Sequence, residues 1–324
     1  MRPRIPSCYS RAKSTDISLM NRIRIRLGGY QGPNSVHTRG AQRFGEVLER
    51  EAGAIVDFEL IPDVLALGRP SGDLPLMVES DELALCYIST VRFAKAVPEL
   101  TIFELPYVVR DRARAIAALN GELGDLLKAG MQERTPFRAL GFWDNGFRHI
   151  TNRVRPIHTP ADCAGLRIRT QMSELHGETL GAFGFEPIPV DIKEFVEQIA
   201  TERFEAQENP LTNTFNFNVH HYHRYLTLSG HFFGTSALIC SKAQYAGWPR
   251  ALQQAVEVSG REATVHQHKL AAQEDDEVLA QIDTNDNEVI RLNAAEQDAF
   301  VRAVEPVLAK HRKALDPKLF DYLS

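Results

Sequence analysis

Five arginines (Arg148, Arg153, Arg155, Arg167 and Arg169) fall between positions 148 and 169 of a chain whose formal net charge is −5. A guanidinium presents a planar fork of donors that pairs bidentately with a carboxylate, and it stays charged when half buried. Placed around a turn and a short strand in a mildly acidic protein, such a group suits a small anion better than a polyanion. Arg167 and Arg169 lie two apart on the predicted strand Leu166–Arg169, and residue type alone also allows both to be solvated surface charges. Arg148 can serve an anion or a structural ion pair. Asn209 precedes Pro210, which biases it to an extended conformation at a strand end. Its amide can donate to a ligand oxygen or satisfy its own backbone.

Other chemistry is less well supported by the residues. His220, His221 and His223 cluster with His231 nearby. Adjacent histidines point in different directions, and no carboxylate or cysteine completes a ligand set at usual spacing, so no metal site is expected. His158 and Cys163 suggest a Cys–His pair, but Cys163 lies in the turn Thr159-Pro160-Ala161-Asp162-Cys163-Ala164-Gly165-Leu166, and a buried structural thiol fits better. There is no G-x-S-x-G, Walker loop, G-x-G-x-x-G or H-E-x-x-H. No catalytic residue and no cofactor are assigned.

The elements that must position these groups follow an alternating pattern. Ile23, Ile25 and Leu27 alternate with arginines as in a strand. A Gly/Pro loop follows, with Asn34 or Ser35 able to cap the next helix, whose Phe44, Val47 and Leu48 share a face. Strands are expected at Ile55–Leu60, at Leu83–Ile88 and at Phe137–Trp143, with a helix begun by Asp111 between the last two. A second series has strands at Leu166–Arg169 and Pro187–Val190, a helix at Leu175–Phe183 and another started by Asp191. The run Tyr225–Cys240 is long enough to cross the molecule. A long helix to about Ile282, interrupted at Gly260, precedes a last helix capped by Asn293, in which Pro306 is expected to make a kink. This order reads as an α/β fold with mostly parallel sheet. In such sheets ligands bind in loops beyond strand ends. That makes Tyr30, Asn34, Tyr87 and Ser89 candidate contacts, and Phe233 a candidate wall unless it is a core aromatic.

Length and composition bound the possibilities. With 324 residues and 44% hydrophobic content the chain can bury a full core and is expected to form two lobes. Its 37 basic against 42 acidic residues argue against nucleic acid as a partner. No apolar run reaches the ~18 residues of a membrane span. Cys8, Cys86, Cys163 and Cys240 are far apart and form no CxxC, which excludes a zinc ribbon and gives no disulfide framework. Residues 1–21 are basic and polar and lack the roughly 7–15-residue apolar core of a signal peptide. They are expected to be a disordered or artefactual extension.

Several motifs occur together. Gly146-Phe147-Arg148 is followed by Arg155-Pro156-Ile157-His158-Thr159-Pro160, then Asp162, Gly165-Leu166 and Ile168-Arg169. Glu104-Leu105-Pro106-Tyr107, Gln207-Glu208-Asn209-Pro210 and Leu228-Ser229-Gly230-His231 stand at matching intervals. This set resembles the signature of substrate-binding proteins of tripartite ATP-independent periplasmic (TRAP) transporters, over most of the chain from Leu27. Glu205-Ala206 departs from the usual Asp-Gly, beside the site and not in it.

The resemblance implies a periplasmic-binding-protein-like fold with two discontinuous α/β lobes, crossing hinge strands and a long hinge-spanning helix. Lobe I would comprise 22–146 with 235–274, and lobe II 147–234 with 275–324, the ligand lying between them. It also implies that Arg169 is the principal carboxylate-binding residue, with Arg148 a second cleft arginine and Asn209 a hydrogen-bonding partner. The expected protein is a non-catalytic receptor for a small organic acid, monomeric and periplasmic, serving membrane permease subunits. A cytoplasmic enzyme acting on a carboxylate substrate is the alternative, drawing on the missing export signal. Trp143, Phe147, Phe185 and Phe233 hint at an aromatic or partly apolar monocarboxylate.

Overall fold

The computed structural model describes residues 22–323, so the expectation for positions 1–21 falls outside the described residues. Strand β1 (Ile23–Gly28) buries Ile25 and Leu27 and turns Arg24 and Arg26 outward to Glu59, as its alternation requires. Helix α1 (Val36–Ala52) is capped by Ser35, whose hydroxyl accepts from the Thr38 N–H, and not by Asn34. Strand β2 (Val56–Ile61) pairs parallel with β1. After a helical turn at Ser71–Asp73 and the short α2 (Leu74–Glu79), strand β3 (Leu85–Ser89) is buried at every position, as a continuous apolar run demands. The helix begun by Asp111 is two helices, α3 (Arg112–Asn120) and α4 (Glu122–Arg134), divided at Gly121.

Strand β4 (Phe137–Asn152) is twice the expected element. Asp144-Asn145-Gly146 has turn chemistry, and the structure absorbs it as a bulge: register shifts occur between Asp144 and Gly146 and again between Arg148 and Ile150. Gly146 takes φ +86°, where an L side chain is strained, and its N–H donates to Asp144 Oδ1. The bulge re-aims the following side chains, among them Arg148.

The second half repeats the α/β style with β5 (Arg167–Thr170), α5 (Glu174–Ala182), β6 (Glu186–Pro189), α6 (Ile192–Gln198), β7 (Ala206–Pro210) and α7 (Leu211–Asn216). Strand β8 (Tyr225–Ser241) then runs antiparallel to β4 along nearly its whole length. Helices α8 (Lys242–Gly247) and α9 (Arg250–Ala280), strand β9 (Glu288–Ile290) and helix α10 (Ala294–Arg312) complete the chain. The strands form one sheet in the order β2-β1-β3-β8-β4-β7-β5-β6, with β9 on β8. A parallel set, β2-β1-β3, and another, β7-β5-β6, are thus joined by the long β4–β8 pair. The fold is a bilobal α/β architecture with crossing strands.

The expected interruption at Gly260 needs revising. Helix α9 passes through Gly260 without interruption, because the glycine lets the helix press against β4: a Cβ there would lie 2.9 Å from Leu140 Cβ. At 31 residues it is about 46 Å long, enough to back both halves. Helix α10 runs continuously through Pro306. The main apolar core fills the first half and reaches Leu175, Ile192 and Phe195, and a smaller cluster holds Ile150, Ile168, Phe183 and Phe300.

Candidate functional site

The ends of the strands from both halves meet at a small buried cavity. Tyr30 follows β1, Ser89 ends β3, Arg92 follows it, and Ser71 lies in the turn before α2. From the other side come Asn145 and Arg148 on β4, Gln171 just after β5, Ile192 at the start of α6, Asn209 on β7 and Asn213 on α7. The walls are close: they enclose about 20 Å³, room for roughly one water molecule. A larger trough of about 510 Å³ between α1 and α9, lined by Arg39, Arg43, Glu46 and Glu262 among others, is an open surface feature with none of these groups.

Arg148 is engaged through Nε and Nη2. Its Nε lies 2.5 Å from Glu208 Oε2 and its Nη2 donates to Glu208 Oε1 at 2.9 Å, to the Glu208 carbonyl at 2.9 Å and to Asn209 Oδ1 at 3.2 Å. Glu208 also accepts from the Thr170 hydroxyl. Burial alone would raise the Glu208 carboxyl, but the Arg148 charge and the bonds from His176 and His231 hold it well below the usual range. Behind it, His176 Nε2 lies 2.7 Å from Glu104 Oε2. Burial opposes the charge of His176, yet its bonds with Glu104 and Glu208 raise its pKa. The structural ion pair, left open in the sequence, is therefore a fact of the Arg148 environment, although Arg148 also reaches the cavity wall.

Arg169 stands in contrast. It is 3% exposed, donates Nε and Nη2 to the Val190 carbonyl at 3.2 and 2.9 Å, and lies over the Phe195 ring at 5.8 Å. Among the described residues no carboxylate comes within ion-pair distance of it. Burial pulls its pKa down from 12.5 to about 10, with Glu208 only partly offsetting this. Its side chain stands beside the cavity, among the charges of Glu208, Arg148, Asp191 and Arg92, and is not on its wall.

The other candidates divide. Tyr30, Ser89 and Asn209 line the cavity. Asn34 is exposed in the turn before α1 and does not line the cavity, and Ser35 takes the cap position. Tyr87 lies one layer deeper: its hydroxyl is bonded to the Tyr30 N–H and the Thr38 hydroxyl, and its ring packs on His37 and Trp143. Phe233 is a core aromatic between Phe103 and Phe147. Cys163 is buried, and burial pushes its thiol up, as a structural role requires. None of Trp143, Phe147, Phe185 and Phe233 lines the cavity, so the aromatic-ligand expectation loses its basis.

Sequence reasoning missed Arg92, Ser71, Asn145, Gln171 and Asn213. Asp191 is the helix cap it was read to be, accepting from the Lys193 N–H at 3.0 Å. The same carboxylate accepts from Ser71 N and Oγ, from Gly72 N and from Arg92 Nη2 at 2.8 Å. Its burial is outweighed by these bonds and by the Arg92 charge, so its pKa is lowered. Asn145 stands between Asp144 and Gly146, residues with turn chemistry that gave no sign of a place on the wall. Gln31 Nε2 ties Asn145 and Asn213 together at 3.2 and 2.7 Å.

The model of the bacterial extracellular solute-binding protein family 7 (DctP) matches residues 27–314. The chain belongs to that family. Among the relatives of this solute-binding protein is the 2,3-diketo-L-gulonate-binding periplasmic protein YiaO of Escherichia coli, 29% identical over 255 residues (79% of this chain, 77% of the relative). Another is the C4-dicarboxylate-binding periplasmic protein DctP of Rhodobacter capsulatus, 26% identical over 292 residues (90% and 86%). A crystal structure of a TRAP periplasmic solute-binding protein from Sulfurospirillum deleyianum with bound succinate superposes with a TM-score of 0.87, at 25% identity and 94% and 99% coverage. The family consists of substrate-binding receptors, and its TRAP members share the bilobal fold described above.

Proposed function

We propose that this solute-binding protein captures a small organic acid between its two lobes and delivers it to the permease subunits of a TRAP transporter on the periplasmic side of the membrane. The observation that carries the reading is Arg169: a buried guanidinium, its pKa lowered by burial, with no carboxylate partner among the described residues. A buried charge without a counter-ion is costly, and an incoming carboxylate supplies one. Arg148, Asn209, Tyr30 and Ser89 are the proposed further contacts, with Arg92 and Asn145 added from the geometry.

We take the lobes as 22–146 with 235–274 and 147–234 with 275–324. Gly146 and Gly234 face each other across β4 and β8 at this boundary, where the bulge and the missing side chains favour bending. On this division the bonds of Asp191 to Ser71, Gly72 and Arg92 join the two lobes, and belong to the closed form. A cavity of one water's size then means that ligand enters with the lobes apart, and that closure is set by contacts it makes in the closed state. Among the described residues no helix is long and apolar enough to cross a membrane, which fits a receptor that hands its cargo to separate membrane subunits.

The enzyme alternative draws less support. No histidine or cysteine lines the cavity, and the carboxylate beside Ser71, Asp191, is made a weak base by the bonds and the Arg92 charge that lower its pKa. A thermal-shift screen of unfolded and refolded protein against organic acids tests the proposal. A ligand at 100 times its Kd adds roughly 2.7 kcal/mol of stability. Stabilisation by one chemical class of carboxylates is expected; no response to any acid would count against the receptor reading.

A further inference from the structure

The charges around the cavity can be counted, and their sum restricts the ligand. Three guanidinium groups stand at or beside it: Arg92, Arg148 and Arg169. Two of them already hold a carboxylate. Arg92 Nη2 is 2.8 Å from Asp191, and Arg148 makes a two-pronged pair with Glu208, both of whose side chains are fully buried. The next layer adds Glu104 and His176, bonded to each other at 2.7 Å and together close to neutral when His176 is protonated. His231 faces Glu208 at 3.7 Å and is bonded through Nδ1 to Ser229, with burial lowering its pKa, which keeps it uncharged near neutral pH. The groups that act electrostatically on Arg169 are these same Glu208, Arg148, Asp191 and Arg92. One positive charge is left over.

The remaining wall is neutral and polar. Asn145, Asn209, Asn213 and Gln171 supply amides, Tyr30 and Ser89 supply hydroxyls, and only Ile88 and Ile192 are apolar. Among the described residues the Tyr30 and Ser89 hydroxyls and the Gln171 side-chain amide have no hydrogen-bond partner. Such groups are suited to hydroxyl or carbonyl oxygens of a ligand. A second carboxylate closing against them would be buried without a cation, which is far more expensive than burying a hydroxyl. Relatives include proteins named for both kinds of solute, a diketo-gulonate and C4-dicarboxylates, so kinship does not decide between them.

From this arrangement we infer that the cleft selects a monocarboxylate bearing hydroxyl or keto groups, one carboxylate answering the single unpaired guanidinium, and discriminates against dicarboxylates. The inference rests on the organic-acid receptor reading above. Asp191 is then a specificity-determining residue, because it cancels Arg92 without touching the acid-binding arginine.

Two length-matched pairs test this by titration calorimetry on refolded protein near pH 7.5: D-erythronate against succinate, and D-galactonate against adipate. The expected result is that at least one hydroxy acid binds at least tenfold tighter than its diacid partner. The variant Asp191→Asn keeps an oxygen to cap α6 and frees Arg92. It should shift the hydroxy-acid to diacid affinity ratio at least fivefold towards the diacid. Diacids binding as tightly as or more tightly than their partners would overturn the charge argument while leaving the receptor reading intact. An unchanged ratio in a folded Asp191→Asn protein would equally overturn it. Failure of all four acids to bind at millimolar concentration, with no other acid stabilising the protein, would remove the receptor reading itself.

Discussion

Replacing Arg169 by methionine separates a ligand-binding charge from a structural one. Methionine has a similar reach and no charge, so the space beside Phe195 stays filled. In the free protein two effects oppose each other. Lowering of the guanidinium pKa from 12.5 to about 10 corresponds to roughly 3 kcal/mol of unfavourable burial, which the variant relieves. Against that, the Val190 carbonyl loses two donors, worth about 1–3 kcal/mol when such a group stays buried. The two nearly cancel, so the melting temperature of the free protein should change by only a few degrees or rise. Binding has no such compensation. Losing the charged partner of a buried carboxylate costs about 2–5 kcal/mol, a Kd weaker by roughly 30-fold to several thousand-fold. Calorimetric titration with the best acid, alongside thermal melts of free protein, reads both quantities. A Kd within threefold of wild type would refute the reasoning, and more so if the free variant also melted far lower.

Glu208 should behave in the opposite way. Glu208→Gln leaves Arg148 buried without its counter-ion and should destabilise the free protein by about 3–5 kcal/mol, measured by urea unfolding; the double variant with Arg148→Met should recover part of that loss. Acid should weaken the fold well before carboxylates titrate. His37 and His223 are buried with pKa values lowered by burial to about 3, so they bind protons only once the chain unfolds. Stability from these two groups is complete above pH 6.5 and is lost as pH falls, by about 1.4 kcal/mol per unit for each. Melts between pH 7 and 5 should show this slope, steepened by His149, which burial also lowers to about 3, and His37→Phe should remove one histidine's share of it. His176 runs the other way: its raised pKa gives stability that is present below pH 6.5 and lost as pH rises through its folded value, so His176→Gln should flatten the alkaline side of the profile. Gly146→Ala should destabilise by about 1–2 kcal/mol, since φ +86° strains any side chain there.

Much of this was legible in the residues. Alternation marked β1, a continuous apolar run marked β3, and the β-branched stretch from Tyr225 marked the crossing strand β8. The motif series pointed to the family and to Arg148, Arg169 and Asn209 from residue types and spacing alone. What could not be read is what depends on the third dimension. Asp144-Asn145-Gly146 has turn chemistry, and only pairing with β8 turns it into a bulge that sets Asn145 and Arg148 on the wall. Asn34 and Ser35 were equivalent cap candidates; the hydroxyl won and left Asn34 in solvent. Tyr87 and Phe233 follow or lie within the right strands, but their depth depends on what packs above them. The Arg92–Asp191 pair joins residues 99 apart in the chain, and neither had a local signal beyond a helix cap.

The most direct test of the central claim is a crystal structure of refolded protein with the tightest-binding acid. The account predicts the ligand between the lobes, a carboxylate oxygen within about 2.7–2.9 Å of an Arg169 guanidinium nitrogen, and Arg148 still paired with Glu208. A ligand carboxylate held elsewhere, with Arg169 bonded only to Val190, would contradict it.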